Sequence, residues 1–222
     1  MTLQLKSDFV DYYDHCFDKK GPIFDRYAKN ALTRADNLQL LINLGYNVPS
    51  HGIARNIVPH LIKLKDTSDL SFIVYLDEYS HCGKDKIKVS AELALEHFGE
   101  YFVVEYLQPD KRATSYRFLQ VGKRSFGLVY SSNDEWRSNC GTEVNVRLVC
   151  HGDDKIHETI KDPIFAIDFI KVGEFLYALD FNSAPGIRST GVDKEMKPRE
   201  IFDEIHEAFH RSKKASNTPT PS

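Results

Sequence analysis

The chain has 222 residues, of which 41% are hydrophobic and 12% aromatic, so it carries enough apolar material for a folded core. Lys and Arg number 29 and Asp and Glu 32, giving a net charge of −3. A nearly balanced charge excludes a general nucleic-acid-binding surface, and the length supports one domain or two small lobes that share an interface.

Membrane and disulfide-rich classes are not expected either. No apolar run approaches the ~20 residues of a membrane span, and the polar N-terminus shows no signal-peptide core. The four cysteines form no CxxC pair, which favours reduced thiols in a cytoplasmic protein.

The first third of the chain is predicted to be helical and then extended. Two apolar stripes predict helices within residues 7–31. A shorter helix follows, with Asp36 as its N-cap and Gly45 as its stop. Residues 46–55 are predicted to be an extended segment.

Strands and one helix alternate in the middle of the chain. A buried strand over residues 71–76 is followed by a polar loop and a short returning strand at residues 87–89. Ser90 is predicted to cap a helix that Gly99 ends, and a strand over residues 101–107 follows.

The second half is predicted to be mainly strands. Residues 115–130 form a hairpin that turns at Gly122-Lys123, and residues 143–150 form another strand. A late helix begins at Pro198, and residues 215–222 have the low-complexity composition of a disordered tail.

The stretch around which these elements are organised is FAIDFIKVGEFLYALDFNSAPG, residues 165–186. Two alternating apolar runs separated by a Lys-Val-Gly-Glu break predict a β-hairpin. Asp180 and Asn182 are two residues apart and so share one face. Asp168 joins that face if the hairpin loop has an odd length, because Asp168 and Asp180 then lie opposite each other.

Three converging oxygen donors would suit a hard cation such as magnesium. Asp and Asn are depleted in strands, so their presence among Phe, Ile, Leu and Tyr favours a function. The alternative is a strand end whose polar side chains lead into the turn Asn-Ser-Ala-Pro-Gly.

The pattern Asp168, then Asp180-x-Asn182-x-x-Pro-Gly, resembles the last motif of the ATP-grasp enzymes, especially the glutamate-adding peptide ligases. The resemblance implies that Asp168, Asp180 and Asn182 bind the magnesium ions that bridge ATP phosphates. One departure is Asp180, which stands where the family usually has Glu and is one methylene shorter.

Weaker resemblances extend over residues 32–190. Arg34 falls where the family has a phosphate-contacting lysine, although a solvated cation at a helix start is an equal alternative. Tyr75 stands where the family has a strand lysine. In the flap that follows, His81, Lys84 and Lys86 are candidate phosphate contacts, and an ordinary solvated loop is the alternative.

The strand that ends in Glu105-Tyr106-Leu107 resembles the family's hinge, whose backbone reads the adenine edge.

Two later segments resemble the arginine-bearing motifs of the same ligases. Arg117, in Y-R-F-L-Q-V-G-K, and Arg137 with Asn139, in W-R-S-N-C-G, are implied to hold phosphates or an acyl phosphate. Charge neutralisation of this kind is the main catalytic device in phosphoryl transfer. A lone strand arginine is otherwise a common surface ion-pairing residue.

The resemblance implies an α+β, ATP-grasp fold of two small antiparallel lobes with ATP between them. We expect an N-terminal helical segment at 1–31, an ATP-grasp-like domain at 32–214 that lacks the family's usual N-terminal domain, and a tail at 215–222. The implied activity is an ATP- and magnesium-dependent carboxylate–amine ligase that forms an amide through an acyl phosphate.

The expected partners are ATP, a carboxylate and an amine, with a peptide or protein among the candidates. No nucleic acid or membrane partner is expected, and a homo-oligomer is left open. Two alternatives remain for the function itself: a nucleotide-binding module without ligase turnover, and a small-molecule kinase of the same fold.

Overall fold

The computed structural model describes most of the chain beyond the N-terminal segment. The described residues are 32–65, 70–77, 79, 85–153, 156–157, 159–160, 164–183 and 185–216, with side chains up to residue 207. The predicted helices within residues 7–31, the tail beyond residue 216, and the flap candidates His81 and Lys84 lie outside the described residues.

The first lobe is a four-stranded antiparallel sheet with helices packed against both of its faces. Its strands lie in the order β1-β4-β2-β3, so β3 is an edge strand. The elements are α1 (Arg34–Asn43), β1 (His51–Ile53), α2 (Ala54–Leu64), β2 (Ser71–Tyr75), β3 (Lys86–Ser90), α3 (Ala91–Phe98) and β4 (Phe102–Glu105).

The second lobe is a five-stranded antiparallel sheet followed by two helices. Its strands lie in the order β7-β6-β5-β8-β9. The elements are β5 (Thr114–Val121), β6 (Arg124–Ser132), β7 (Val144–Gly152), β8 (Ile164–Val172), β9 (Phe175–Asn182), α4 (Val192–Glu195) and α5 (Pro198–Ser216).

Local signals explain several element boundaries. The Ser90 hydroxyl accepts a hydrogen bond from the Leu93 amide at 3.3 Å and caps α3, as predicted. The hairpin between β5 and β6 turns at Gly122-Lys123, as predicted, with Val121 paired to Arg124.

Two predictions near the start of the first lobe are wrong. The N-cap of α1 is Thr33, whose hydroxyl accepts from the Asp36 amide at 3.1 Å, so Asp36 lies inside the first turn. The predicted extended segment at residues 46–55 contains β1, but its last two residues already belong to α2, a helix that the sequence did not predict. Helix α2 tolerates an internal Pro59 because Ala54, Val58 and Leu61 bury one apolar face.

Three clusters of buried side chains hold the molecule together. One packs α2 and α3 against the first sheet, and another packs α4 and α5 against the second. The third joins the two lobes: Leu38 and Leu41 of α1 pack with Val104 of β4 and with Phe165 and Ile167 of β8. This shared core fixes the first turn of α1 against β9 and positions the site.

The molecule is therefore α+β, with two antiparallel sheets and packed helices, as the sequence predicted. Among the described residues, no helix is both long and apolar enough to cross a bilayer.

Candidate active site

Asp168 and Asp180 lie directly opposite each other on β8 and β9. The predicted odd loop is wrong, because Val172 pairs with Phe175 around a two-residue turn. Continued regularly, that turn would pair Asp168 with Leu179. A bulge after Asp168 accommodates Leu179 as an extra residue and places Asp180 opposite Asp168 instead.

Arg117, on the neighbouring strand β5, forms an ion pair with Asp168. The two residues are paired in the β5–β8 register, and Arg117 Nε and Nη2 donate to Asp168 Oδ1 and Oδ2 at 2.6 and 2.7 Å. The guanidinium also lies 4.9 Å from the Tyr130 ring centroid. Burial alone would lower the pKa of Arg117, but Asp168 outweighs it and raises that pKa, so the guanidinium stays charged.

Asp180 is held by the first turn of α1. Arg34 Nη1 donates to Asp180 Oδ1 at 2.8 Å, and Asn37 Nδ2 donates to the same oxygen at 2.9 Å. Arg34 and Asn37 are three residues apart and so share one helix face. Asn37 also exchanges hydrogen bonds of 2.9 and 2.8 Å with the backbone of Phe181, which fixes α1 to β9.

Sequence reasoning did not identify Asn37 as a site residue. The available signal was an asparagine on the apolar face of a short helix, one turn after a cationic position. Asn37 is 7% exposed.

Arg34 retains an unused hydrogen-bond donor. Its guanidinium lies 5.0 Å from the centroid of the Tyr75 ring, which forms a platform beneath it. Arg34 Nε is the one buried side-chain nitrogen or oxygen within the described part of the chain that has no hydrogen-bond partner. A buried N–H without an acceptor is costly, so this atom indicates where a ligand oxygen would bind.

Tyr75 is largely enclosed, and burial raises the pKa of its phenol despite the nearby Arg34. It is therefore neutral and brings an aromatic surface, rather than a charge, to the position where a lysine would be expected.

Arg137 and Asn139 are not brought into the aspartate cluster. Arg137 Nη2 donates to Asp134 Oδ2 at 2.9 Å, and Asp134 Oδ1 accepts from the amides of Trp136 and Arg137. The ion pair with Asp134 keeps Arg137 on its own loop. The hydrogen bonds that Arg137 donates lower the pKa of Asp134 well below its usual range. Asn139 is exposed, and its amide oxygen accepts from the Cys140 thiol at 3.6 Å.

At the predicted hinge, one backbone donor has no partner among the described residues. The Glu105 amide donates to Ser50 O at 2.7 Å and the Tyr106 amide to Ser71 O at 2.8 Å. Within the described residues, the Leu107 amide makes no backbone hydrogen bond and remains available to a ligand. The Glu105 side chain is buried and pairs with Lys65.

The structure thus gathers Arg34, Tyr75, Arg117, Asp168 and Asp180 in one place. Asn182 lies two residues beyond Asp180 on the same strand and therefore on the same face.

Two carboxylates and an amide oxygen fit a magnesium ion. No cluster of three or more His, Cys, Asp and Glu side chains occurs in the described ranges, so the third protein oxygen would come from Asn182. Each carboxylate offers about four acceptor sites, and the bonds from Arg117 to Asp168 and from Arg34 and Asn37 to Asp180 use only some of them. The donor set therefore suits the ion, although the two carboxylates would share it with arginines.

Several solved structures share the fold of this chain. PsnB, an ATP-grasp ligase complexed with a minimal precursor, Mg and ADP, superimposes with a TM-score of 0.52 at 13% identity, over 82% of this chain and 60% of PsnB. The D-cycloserine synthetase DcsG gives 0.56 at 10% identity, over 85% and 72% of the two chains.

The D-alanine–D-alanine ligase from Bacillus anthracis, complexed with ATP, gives a TM-score of 0.50 at 11% identity, over 98% of this chain and 87% of the ligase. No family model and no curated protein matches the sequence.

The chain therefore has the ATP-grasp fold, as the motif around Asp168 and Asp180 predicted. It spans about 60% of the length of PsnB.

Proposed function

We propose that the chain is an ATP- and magnesium-dependent carboxylate–amine ligase. The observation that carries this proposal is the in-register opposition of Asp168 and Asp180, with Arg117 and Arg34 beside them and an unused N–H on Arg34. Carboxylates that face each other among buried arginines suit a metal–phosphate group, whereas strand-end decoration would leave them solvated.

The reaction would proceed in two displacements. A substrate carboxylate oxygen attacks the γ-phosphorus of ATP, the bond from that phosphorus to ADP breaks, and an acyl phosphate forms. An amine nitrogen then attacks the acyl carbon, phosphate leaves, the nitrogen loses a proton, and an amide remains.

The protein's own part would be positioning and charge. Arg34 would donate Nε–H to a phosphate oxygen, and Arg117 would hold Asp168 in its orientation. Asp168, Asp180 and Asn182 would hold magnesium, which when bound neutralises phosphate charge. The Leu107 amide would meet the adenine edge, and no protein nucleophile is required.

Arg137 would bind the acyl phosphate only after the Arg137 side chain leaves Asp134. Asn139, which lies on the same loop, would then be carried with it. Lys84 remains a proposed phosphate contact on the basis of the sequence resemblance alone.

Peptides are the first substrates to test. PsnB is known in complex with a precursor peptide and AMPPNP. A peptide would supply either the carboxylate or the amine, and its partner would be a free amine or amino acid.

A phosphate-release screen tests the proposal. With Mg·ATP, a panel of carboxylates including acidic peptides, and a panel of amines, we expect ADP and phosphate in equal amounts only when both substrates are present. Asp168→Asn, the matched variant, should abolish that release. ADP with a stable phosphorylated product would instead identify a kinase.

A nucleotide-binding module without turnover is the second candidate. The absence of a lysine at Tyr75 and the engagement of both carboxylates by arginines favour it. Its signature would be calorimetric binding of ATP with no ADP release under any combination of substrates. Failure of ATP to bind at all would contradict both candidates.

A further inference from the structure

Lys86 occupies the position opposite Tyr75. It is the first residue of β3, and the β2–β3 register pairs it directly with Tyr75. Directly opposite residues on antiparallel strands point to the same face of a sheet. Lys86 is therefore on the side of the sheet where Tyr75 supports Arg34.

Lys86 differs from the arginines of the site in its ion pairing. Arg34, Arg117 and Arg137 each form an ion pair with an aspartate. For Lys86 no carboxylate within the described residues does so, and its ammonium lies 5.4 Å from the Trp136 ring centroid instead. A cation–π contact is weaker than a charge-assisted hydrogen bond, so an anionic ligand can displace it.

The surroundings of Lys86 favour an anion. It is partly buried, and burial together with Arg34 lowers the pKa of its ammonium, which an added negative charge would restore. Asp180, Arg137 and Cys140 are the other ionisable groups that influence it. Lys86 lines a cleft of about 750 Å³ together with Lys88, Glu135, Trp136 and Arg137.

Two donor groups without a hydrogen-bond partner among the described residues thus lie on the Tyr75 side of the sheet. One is the Arg34 Nε–H, and the other is the Lys86 ammonium. Neither group donates to an acceptor within the described residues, and Arg34 and Asp180 both act electrostatically on the Lys86 ammonium, so the two donors share one electrostatic environment.

We propose that Lys86 binds the polyphosphate of the nucleotide together with Arg34 Nε, and that it leaves the Trp136 ring to do so. The charge that Tyr75 cannot provide from β2 is supplied by its partner on β3. This assignment rests on the proposed function, because it presumes that a nucleotide enters the cleft.

Calorimetry of Lys86→Met with ATP, ADP, AMP and adenosine tests the assignment. Loss of a charge-assisted contact should weaken ATP and ADP by about tenfold to one hundredfold. Adenosine should be affected by less than about twofold, because it has no phosphate to bind. Lys86→Arg, which keeps the charge, should recover part of the affinity.

Lys63→Met is the matched control, since it removes an exposed lysine on α2 outside the site. It should leave all four affinities unchanged. The melting temperature of ligand-free Lys86→Met should not fall, because the lowered pKa means that the folded state disfavours this charge at neutral pH. A preserved melting temperature excludes misfolding as the cause of weak binding.

Tryptophan fluorescence adds a local readout, because Trp136 is the chain's single tryptophan. Saturating ADP should change its emission in the wild type, and Lys86→Met should already show most of that change without ligand.

The outcomes separate the two proposals. Wild-type binding of ATP that Lys86→Met leaves intact, or an equal loss of affinity for adenosine, overturns the role of Lys86 alone. Wild-type protein that binds no ATP overturns the proposed function and this role together.

Discussion

The two sides of the site treat positive charge in different ways. On one side, the aspartate wall (Asp168 and Asp180 with Arg117 and Arg34), each arginine has a carboxylate partner. On the other, the lysine wall (Lys86 and Lys88 of β3), no carboxylate within the described residues forms an ion pair with either lysine. Lys88 Nζ instead lies 3.6 Å from the Tyr106 ring centroid.

The difference separates cations whose charge neutralises a carboxylate within the fold from cations whose charge is left for a ligand. A buried ion pair broken by mutation leaves an uncompensated charge and destabilises the fold. A desolvated cation without a counterion is already unfavourable, so its removal should cost stability little while depriving an anion of its partner.

The largest expected effect is on the aspartate wall. Arg117→Met should lower the free energy of unfolding by about 3 kcal/mol, because it strands the Asp168 carboxylate. The Asp168 side chain is 21% exposed, so the lower end of the range for buried pairs applies. Urea unfolding of the ligand-free protein measures this loss.

Arg55→Ala is the control for Arg117→Met, because it removes one partner of an ion pair with Glu100 whose side chains are 61% and 70% exposed. It should change the free energy of unfolding by no more than about 0.5 kcal/mol. Equal losses in the two variants, or a loss in Lys86→Met as large as in Arg117→Met, would refute the contrast between the walls.

An intermediate effect is expected for Asp180→Asn. This change removes the charge that compensates Arg34, so we expect a loss of about 1–2 kcal/mol in the ligand-free protein. It should also remove the preference for ADP with magnesium over ADP with EDTA. Unfolding and paired calorimetric titrations measure the two effects.

Whether Asp180→Asn raises or lowers the stability of the ligand-free protein is informative. If repulsion between Asp168 and Asp180 governed the site, removing a charge would stabilise the ligand-free protein. A rise in its melting temperature would therefore show that the arginines do not compensate the aspartates.

The smallest effect concerns the loop that carries Trp136. Hydrogen bonds from Arg137 lower the pKa of Asp134, so this carboxylate stabilises the fold above its unfolded-state pKa and loses that contribution as the pH falls below it. Asp134→Asn should cost about 0.5–1 kcal/mol at pH 7. The difference from wild type should shrink between pH 5 and pH 2 in thermal melts.

Asp203→Asn, in the exposed Arg199–Asp203 pair of α5, is the control for this pH series. Asp203 does not accept the backbone hydrogen bonds that Asp134 accepts, so Asp203→Asn should shift the melting temperature less at pH 7. If the difference in melting temperature between Asp134→Asn and the wild type stayed constant down to pH 2, this result would contradict the assigned charge interaction.

The sequence by itself determined the local features and the chemistry they carry. The alternating runs around residues 165–182 predicted the hairpin, and Ser90, Gly122-Lys123 and Pro198 marked the cap, turn and helix start that the structure contains. These signals depend on residues within a few positions of one another, where propensity and hydrogen bonding act directly. The same stretch carried the motif that predicted the fold.

Tertiary structure alone decided which charged and polar groups lie next to one another in the site. The bulge at Leu179 set which residue faces Asp168, and residues far apart in sequence supplied the partners: Asn37 and Asp180 are 143 positions apart. Lys86 came to lie beside Tyr75 through the β2–β3 register. Pairings of this kind depend on packing and register across the whole fold, so no local pattern in the sequence reveals them.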